Sequence, residues 1–194
     1  APHFGGLWEA SVKSAKTLAL KNISNASLTF EELLTVFSDV EAILNSRPIA
    51  PTSDDPNDFN ALTPGHLLIG TELTSVPESL LYHSTDPPGK ELRYLDRWQR
   101  ETYLKQQFWT LWARDYVHNL QQRSKWIYEK ANVALGQLVI VHEDNVTAQH
   151  WPLARVVSVN AGPDDKIRVV ELKTAKGIFK RPIHKIAPLP ESFI

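Results

Sequence analysis

The stretch QLVIV at residues 137–141 is the first of four β-branched runs in the last third of the chain, and these runs decide its fold class. The other three also alternate with a period of two, and they are LARVVSV (153–159), IRVVEL (167–172) and IFKR (178–181). Turn-forming residues bound the runs, notably NAGPDD at 160–165 and Lys176-Gly177. This pattern predicts short antiparallel strands. About five such strands predict a small closed β-barrel over residues 132–194.

The segment before the strands, residues 91–130, contains no glycine or proline and predicts the longest helix of the chain. Apolar and basic side chains interleave along it, the basic ones including Arg93, Arg97, Arg100, Lys105, Arg114, Arg123 and Lys125. Two interpretations of these cations stay open: contacts to a nucleic-acid backbone, or a solvated face of an amphipathic connector. We expect the tryptophans to pack in a core or against a partner helix. The length of the pattern is compatible with a break near residues 114–119.

Residues 1–89 predict helices followed by loop. Thr29 and Glu32 have the spacing of a capping box, so a helix is expected to begin there. Its apolar stripe is predicted to consist of residues at three- and four-residue steps, namely Leu33, Phe37, Val40 and Leu44. Thr63-Pro64 predicts a short helix that ends at Gly70.

Two loops are predicted in the same segment, over residues 50–60 and 71–89. The acidic group of Asp54, Asp55 and Asp58 lies among Pro, Ser and Asn residues, and it is interpreted as a solvated turn rather than a metal site. The seven histidines are dispersed without the spacing of metal ligands.

The net charge of −1 conceals an uneven distribution along the chain. Residues 1–89 carry 4 Lys/Arg and 11 Asp/Glu, residues 90–131 carry 9 and 5, and residues 132–194 carry 8 and 6. An acidic first part joined to a basic second part fits an anionic partner for the distal half. The excess on the last module is small, so a solvated surface is also compatible with it.

Composition excludes several classes of function. Without cysteine the chain has no disulfide, thiol nucleophile or cysteine-based zinc site. No apolar run approaches 18 residues, so no membrane partner is expected. There is also no methionine, and the chain begins at Ala1; we expect it to be an excised or processed fragment.

The first sixteen residues carry the clearest chemical pattern. Glu9, Lys13 and Lys16 stand at i, i+4 and i+7, so a helix places them on one face. The opposite stripe is predicted to pack, and it consists of Leu7, Ser11, Ser14 and Leu18. A carboxylate followed by two cations suits a hard metal ion and then a phosphate chain. An ordinary amphipathic helix with one Glu–Lys pair is the alternative.

Four motifs, in order, resemble known sequences: PHFGGLWE (2–9), LNSRP (44–48), ALTPGHLLIG (61–70) and the strands from Leu135 onward. They are similar to the end of the integrase of BEL/Pao-type LTR retrotransposons. The resemblance implies an α+β chain in three parts. These are the C-terminal helices of a truncated RNase H-like catalytic core (1–89), a helical linker (90–131) and an SH3-like β-barrel (132–194). Isolated residues 1–89 are expected to be unstable, because their helices lack the central sheet.

The resemblance also implies a chemistry, namely Mg²⁺- or Mn²⁺-dependent DNA strand transfer with two aspartates and one glutamate. Glu9 matches that glutamate, which is catalytic and binds metal, and Lys13 and Lys16 match lysines that hold DNA ends. The other expected DNA-binding cations lie on the long helix and the last strands, and they are Arg97, Arg100, Lys173, Lys176, Lys180, Arg181 and Lys185. Both aspartates would lie before Ala1. The chain alone is therefore expected to be inactive and to bind no metal tightly.

The partners that the resemblance implies are DNA, both element ends and target, the upstream part of a polyprotein, and further integrase subunits in a homo-oligomer. It implies location in the nucleus or in a virus-like particle. The alternative function is a non-enzymatic module, from a decayed or domesticated element, that binds nucleic acid, chromatin or protein.

Overall fold

A computed structural model of the protein describes residues 6–23, 26–76, 78–79, 81–82, 95–121, 132–144, 146–163 and 166–190. Within the first of these ranges, side chains are described from Val12 onward, except that of Ser14. The described residues form four α-helices, a five-stranded antiparallel sheet and a two-stranded sheet, so the fold is of the α+β class. The helices are α1 (Gly6–Ile23), α2 (Phe30–Asn45), α3 (Pro64–Ile69) and α4 (Arg97–Gln121).

The capping box that the sequence predicts at the start of α2 is confirmed. The Glu32 backbone N–H donates to Thr29 Oγ1 at 3.3 Å, and the Thr29 backbone N–H donates to Glu32 Oε2 at 2.7 Å. Each side chain therefore satisfies a backbone donor that a helix start leaves without a partner. The short helix α3 also begins and ends as predicted, with Pro64 at its first position and Gly70 in the left-handed conformation after it.

The buried face of α2 differs from the prediction. Phe37, expected in the apolar stripe, is 43% exposed, whereas Val36 and Ile43 are buried beside the correctly predicted Val40. The helix is turned so that the side bearing Glu32 and Asp39 faces α4, where both carboxylates meet cations. The buried residues Val36, Val40 and Ile43 also stand at steps of four and three, so the sequence carries two overlapping apolar stripes and spacing alone does not choose between them.

The first predicted loop, residues 50–60, is held in place by hydrogen bonds. Strands β1 (Ala50–Pro51) and β2 (Ala61–Leu62) pair at the ends of the first predicted loop. Within that loop Asp58 accepts hydrogen bonds from the hydroxyls of Thr52 and Ser53, at 3.1 and 2.6 Å. These bonds and one from the Asn60 backbone N–H lower the pKa of the Asp58 carboxyl. The acidic group is a turn, as predicted.

Helix α4 runs without interruption through residues 114–119, where the sequence is compatible with a break. The parts of the predicted helix at 91–94 and 122–130 lie outside the described residues. The side chain of Gln106 holds the segment before α4, since its Oε1 accepts from the backbone N–H groups of Leu81 and Tyr82 at 2.8 and 3.0 Å.

The five-stranded sheet contains the four predicted strands and a fifth that was not located from the sequence. Its strands are β3 (Leu138–Val141), β4 (Leu153–Ala161), β5 (Ile167–Thr174), β6 (Gly177–Pro182) and β7 (Ile186–Pro188). The order is β6-β5-β4-β3-β7, so the last strand returns to pair with the first. β7 was missed because it is only three residues long and ends in proline, which is tolerated on an edge strand.

Three apolar clusters form the core, and two of them join helices to the sheet or to the connection between its strands. One lies among the strands themselves. A second contains Ala15 and Ala19 of α1, Ile43 of α2 and Phe108 of α4, together with the connection between β3 and β4. The third places Val117 of α4 against β3 and β7. The clusters thus cross both boundaries between the three expected segments.

A buried arginine of β4 joins the sheet to the loop between β1 and β2. Arg155 is 3% exposed, and its guanidinium donates to the backbone carbonyls of Asp58 and Gly136, each at 2.9 Å, and to that of Ser53. A planar guanidinium can satisfy several carbonyls at once, which a flexible ammonium cannot do in the same geometry. Lys173 of β5 adds a bond to Asn57 of the same loop at 2.6 Å.

We expect Arg155→Met to lower the free energy of unfolding by about 2 to 3 kcal/mol, because buried carbonyls lose their donors. Lys166→Met is the matched control at an exposed position, with an expected change within about 0.5 kcal/mol. Urea unfolding of the full chain measures both. Equal stability of the two variants would show that the guanidinium contacts contribute nothing.

Candidate nucleic-acid interface

Helix α1 separates its packing side from its charged side. Ala15 and Ala19 are buried, in the cluster that includes α2 and α4, while Lys13 and Lys16 are exposed. Leu18, predicted to pack, is partly buried against that cluster. The predicted packing residues Leu7, Ser11 and Ser14 have side chains outside the described part.

The regular helix places position 9 one turn before Lys13, in line with the two exposed lysines. The side chain of Glu9 lies outside the described residues, so its expected metal-binding role stays a prediction. Among the described residues there is no group of three or more His, Asp or Glu side chains that could hold a metal ion.

Three basic side chains of α4, those of Arg97, Arg100 and Lys105, contact other groups of the protein. Arg97 forms an ion pair with Glu32 at 3.4 Å, although most of its side chain is exposed. Arg100 is half-buried and donates to the Leu95 carbonyl at 3.5 Å. Lys105 is buried between Glu78 at 3.0 Å and Asp39 at 3.7 Å. Burial raises the pKa of the Asp39 carboxyl, and the nearby charge of Lys105 opposes this rise only in part. Of the two expected DNA contacts here, Arg97 is therefore the more accessible.

The expected cations of the sheet gather on β5, β6 and the short 3₁₀ turn (Ile183–Lys185) before β7. Two of them face carboxylates: Lys180 lies 3.3 Å from Glu171, and Arg181 lies 3.9 Å from Glu143. Lys185 Nζ lies 3.3 Å from His142 Nδ1. Lys176 is exposed at the β5–β6 turn. These pairs reduce the charge that the patch offers to an anion.

Of the three tryptophans of the predicted helix that the structure describes, Trp109 and Trp112 confirm the structural interpretation and Trp98 is exposed. Trp126 lies outside the described residues. Trp109 and Trp112 of α4 are buried, and Trp151 meets both edge-to-face at centroid distances of 4.8 and 6.0 Å. Trp112 also stacks on Tyr116 at 5.3 Å. This aromatic cluster joins α4 to the connection between β3 and β4, so Trp151 is a packing residue.

Tyr116 also connects the cluster to the end of α2, since its hydroxyl donates to the Pro48 carbonyl at 2.6 Å. Burial raises the pKa of Tyr116 to about 12. A phenol that ionises near 10 in the unfolded chain and near 12 in the folded one makes stability fall as the pH rises through that window.

We expect Tyr116→Phe to lower the free energy of unfolding by about 1 kcal/mol at pH 8, because the Pro48 carbonyl loses its donor. The difference in the free energy of unfolding between the variant and the unaltered protein should shrink to about zero near pH 11. At that pH the phenol of Tyr116 ionises when the unaltered chain unfolds, which favours its unfolded state, whereas the variant has no phenol to ionise. Urea unfolding at both pH values measures this. A difference independent of pH would contradict the raised pKa.

Sequence reasoning missed Arg155 as a residue that joins the sheet to a loop. Its signal was present: it is the single charged residue inside the run LARVVSV, and a charged residue there requires a partner. Its partners are backbone carbonyls distant in sequence, which no pattern reveals.

Residues 96–189 are similar to one family, whose model is described as a family of unknown function (DUF5641). The match covers α4 and the five-stranded sheet as one continuous stretch, a little under half of the chain. No curated protein and no solved structure matches the chain. Within the described residues, no helix is both long enough and apolar enough to span a membrane.

Proposed function

We propose that this chain is the C-terminal part of a BEL/Pao-type retroelement integrase. It would contribute the third catalytic carboxylate, Glu9, and DNA-binding elements for metal-dependent strand transfer. The observation that carries the proposal is the free face of α1. Ala15 and Ala19 hold the helix against the body of the protein, and Lys13 and Lys16 are left exposed in line with position 9. A glutamate position one helical turn before two exposed cations suits metal-assisted chemistry on a phosphodiester.

The outer side of α2 supports the idea that a further apolar surface belongs against these helices. Phe30 and Leu34 are 70% and 51% exposed, and Phe37 continues the row at a three-residue step. Large apolar side chains in a row on a helix normally face a neighbouring element. The central sheet of an RNase H-like core is the cover that we propose.

The strand order supports an SH3-like barrel for residues 132–194. β3 to β6 follow one another as a meander, and β7 returns to pair with β3 on the opposite side from β4. Such a return lets a short sheet curl towards closure around its own core, here built from Val139, Val156 and Leu172. In this proposal the barrel contacts DNA through the cations of β5 and β6, and the intact enzyme works as an oligomer in the nucleus or a virus-like particle.

DNA binding by the full chain tests the proposed interface. We expect Lys13→Glu together with Lys16→Glu to weaken binding to a duplex oligonucleotide about tenfold or more at 100 mM salt. The slope of log affinity against log salt should fall by about 2, one unit for each lost phosphate contact. The matched control is Arg114→Glu together with Lys166→Glu, which makes the same change in net charge at two exposed positions. An equal effect of both double variants would contradict a specific role of α1.

The second candidate is a non-enzymatic binding module from a decayed or domesticated element. The ion pairs of Lys180 and Arg181 favour it, because paired cations contribute less to phosphate binding. The same salt titration separates the two candidates. A slope near zero would favour a protein-binding or chromatin-binding module over the DNA-binding fragment.

A further inference from the structure

A cavity of about 260 Å³ lies between α4 and the connection from β3 to β4. Three aromatic side chains line it, Tyr82, Trp109 and Trp151. The rings of Trp109 and Trp151 lie at 70° to each other, so together they form a corner rather than a flat wall. Both are fixed in place, since Trp109 Nε1 donates to the Val146 carbonyl at 3.0 Å and Trp151 Nε1 donates to Ser46 Oγ at 3.3 Å.

The charged groups around this aromatic cavity are mainly acidic. Three carboxylates line it, those of Glu78, Glu143 and Asp144, together with the guanidinium of Arg114. Glu78 pairs with Lys105 at 3.0 Å and Glu143 lies 3.9 Å from Arg181, so Asp144 provides the carboxylate that is open to a ligand. Asp144 is exposed and makes no ion pair with any residue that the structure describes, whereas Arg114 lies 3.9 Å from Asp115. Aromatic faces and carboxylates both attract a cation, and the aromatic contribution is strongest for one that sheds water easily.

We propose that the aromatic cavity binds the methylated ammonium group of a lysine side chain from a partner polypeptide. Methylation lowers the hydration of the ammonium and adds apolar surface, and both suit a cavity with aromatic walls and an acidic rim. A volume of about 260 Å³ is below the range typical of whole small-molecule ligands, so one side chain is the better fit.

A neighbouring groove offers room for the rest of the partner. The volume of this groove is about 670 Å³. The groove and the aromatic cavity share one wall, which is formed by residues of the β3–β4 connection that include Glu143, Thr147 and Trp151. A polypeptide in contact with this connection can therefore reach the cavity with one side chain. The proposal does not depend on the DNA-binding function, because none of its readouts contains DNA.

The test uses the full 194-residue chain and a labelled Gly/Ala peptide with one central residue varied. Fluorescence anisotropy compares trimethyllysine, unmodified lysine and a neutral isostere in which carbon replaces the trimethylated nitrogen. We expect trimethyllysine to bind at least about tenfold more tightly than each of the other two, because only it is both cationic and weakly hydrated. Equal binding of the three peptides, or no binding of any, would overturn the proposal.

Two variants place the binding in the cavity. Ala113→Leu fills space beside Trp109 and should reduce binding of the trimethyllysine peptide more than tenfold, whereas His118→Leu, an exposed position of the same helix outside the cavity lining, should not. Asp144→Asn removes an exposed carboxylate without touching the core, and it should weaken binding about threefold. Thermal melts verify that the variants are folded. Unchanged binding by folded Ala113→Leu or by Asp144→Asn would overturn the assignment to this cavity.

Discussion

Phe108→Ala is expected to lower the free energy of unfolding by about 3 to 5 kcal/mol, since removal of a fully buried ring loses its transfer free energy and leaves a cavity. Phe108 is 2% exposed and belongs to the cluster that contains residues of α1, α2 and α4 and the β3–β4 connection. Its loss therefore affects every segment of the chain at once. For a protein of this size the melting temperature should fall by roughly 10 °C or more.

Phe30→Ala is the control of the same residue type, at a position that is 70% exposed on α2. Its effect on unfolding should stay within about 0.5 kcal/mol. Urea unfolding of the two variants should also give a single transition by fluorescence and by circular dichroism, because the clusters cross the segment boundaries. Two separate transitions in the unaltered chain, with Phe108→Ala affecting only one, would contradict a core shared by the helices and the sheet.

The shared core also supports the expectation that residues 1–89 are unstable alone. The apolar faces of α1 and α2 are buried against Phe108 and its neighbours, all of which lie after residue 89. A peptide that ends before α4 would leave Ile43 and Ala19 exposed to water. That expectation stays a prediction until the isolated segment is studied.

Local features of the fold could be predicted because their causes lie within a few residues. The capping box of Thr29 and Glu32, the start of α3 at Pro64 and its end at Gly70 each depend on neighbours in the sequence. The four longer strands followed from alternation and turn residues. Phe37 was predicted wrongly because a second apolar stripe, Val36, Val40 and Ile43, overlaps the predicted one, and spacing does not choose between the two.

Features that depend on distant partners could not be predicted. The pairing of Tyr116 with Pro48 and of Arg155 with Asp58 joins residues separated by 68 and 97 positions. The aromatic cavity likewise arises where Tyr82, Trp109 and Trp151 meet. At the candidate interface, spacing correctly placed Lys13 and Lys16 on an exposed face, but it could not show that Lys180 and Arg181 lie beside carboxylates.

Glu9→Gln provides the second large expected effect and concerns the proposed function itself. In the longer integrase that the proposal requires, with two aspartates supplied ahead of Ala1, Glu9 would be the third carboxylate for the divalent ions. Glutamine has almost the same size as glutamate but lacks its negative charge. Metal binding should therefore weaken, while contacts to the DNA backbone remain. We expect strand transfer to fall about a thousandfold or more. Glu31→Gln, on the exposed start of α2, is the matched control and should leave activity unchanged.

The most direct measurement is strand transfer by this longer protein, with an oligonucleotide that carries an element end, in the presence of Mg²⁺. We expect activity for the unaltered protein, loss of activity for Glu9→Gln, and nearly equal DNA affinity for the two. Strand transfer retained by the Glu9→Gln variant would contradict the assignment of Glu9 and, with it, the proposed function.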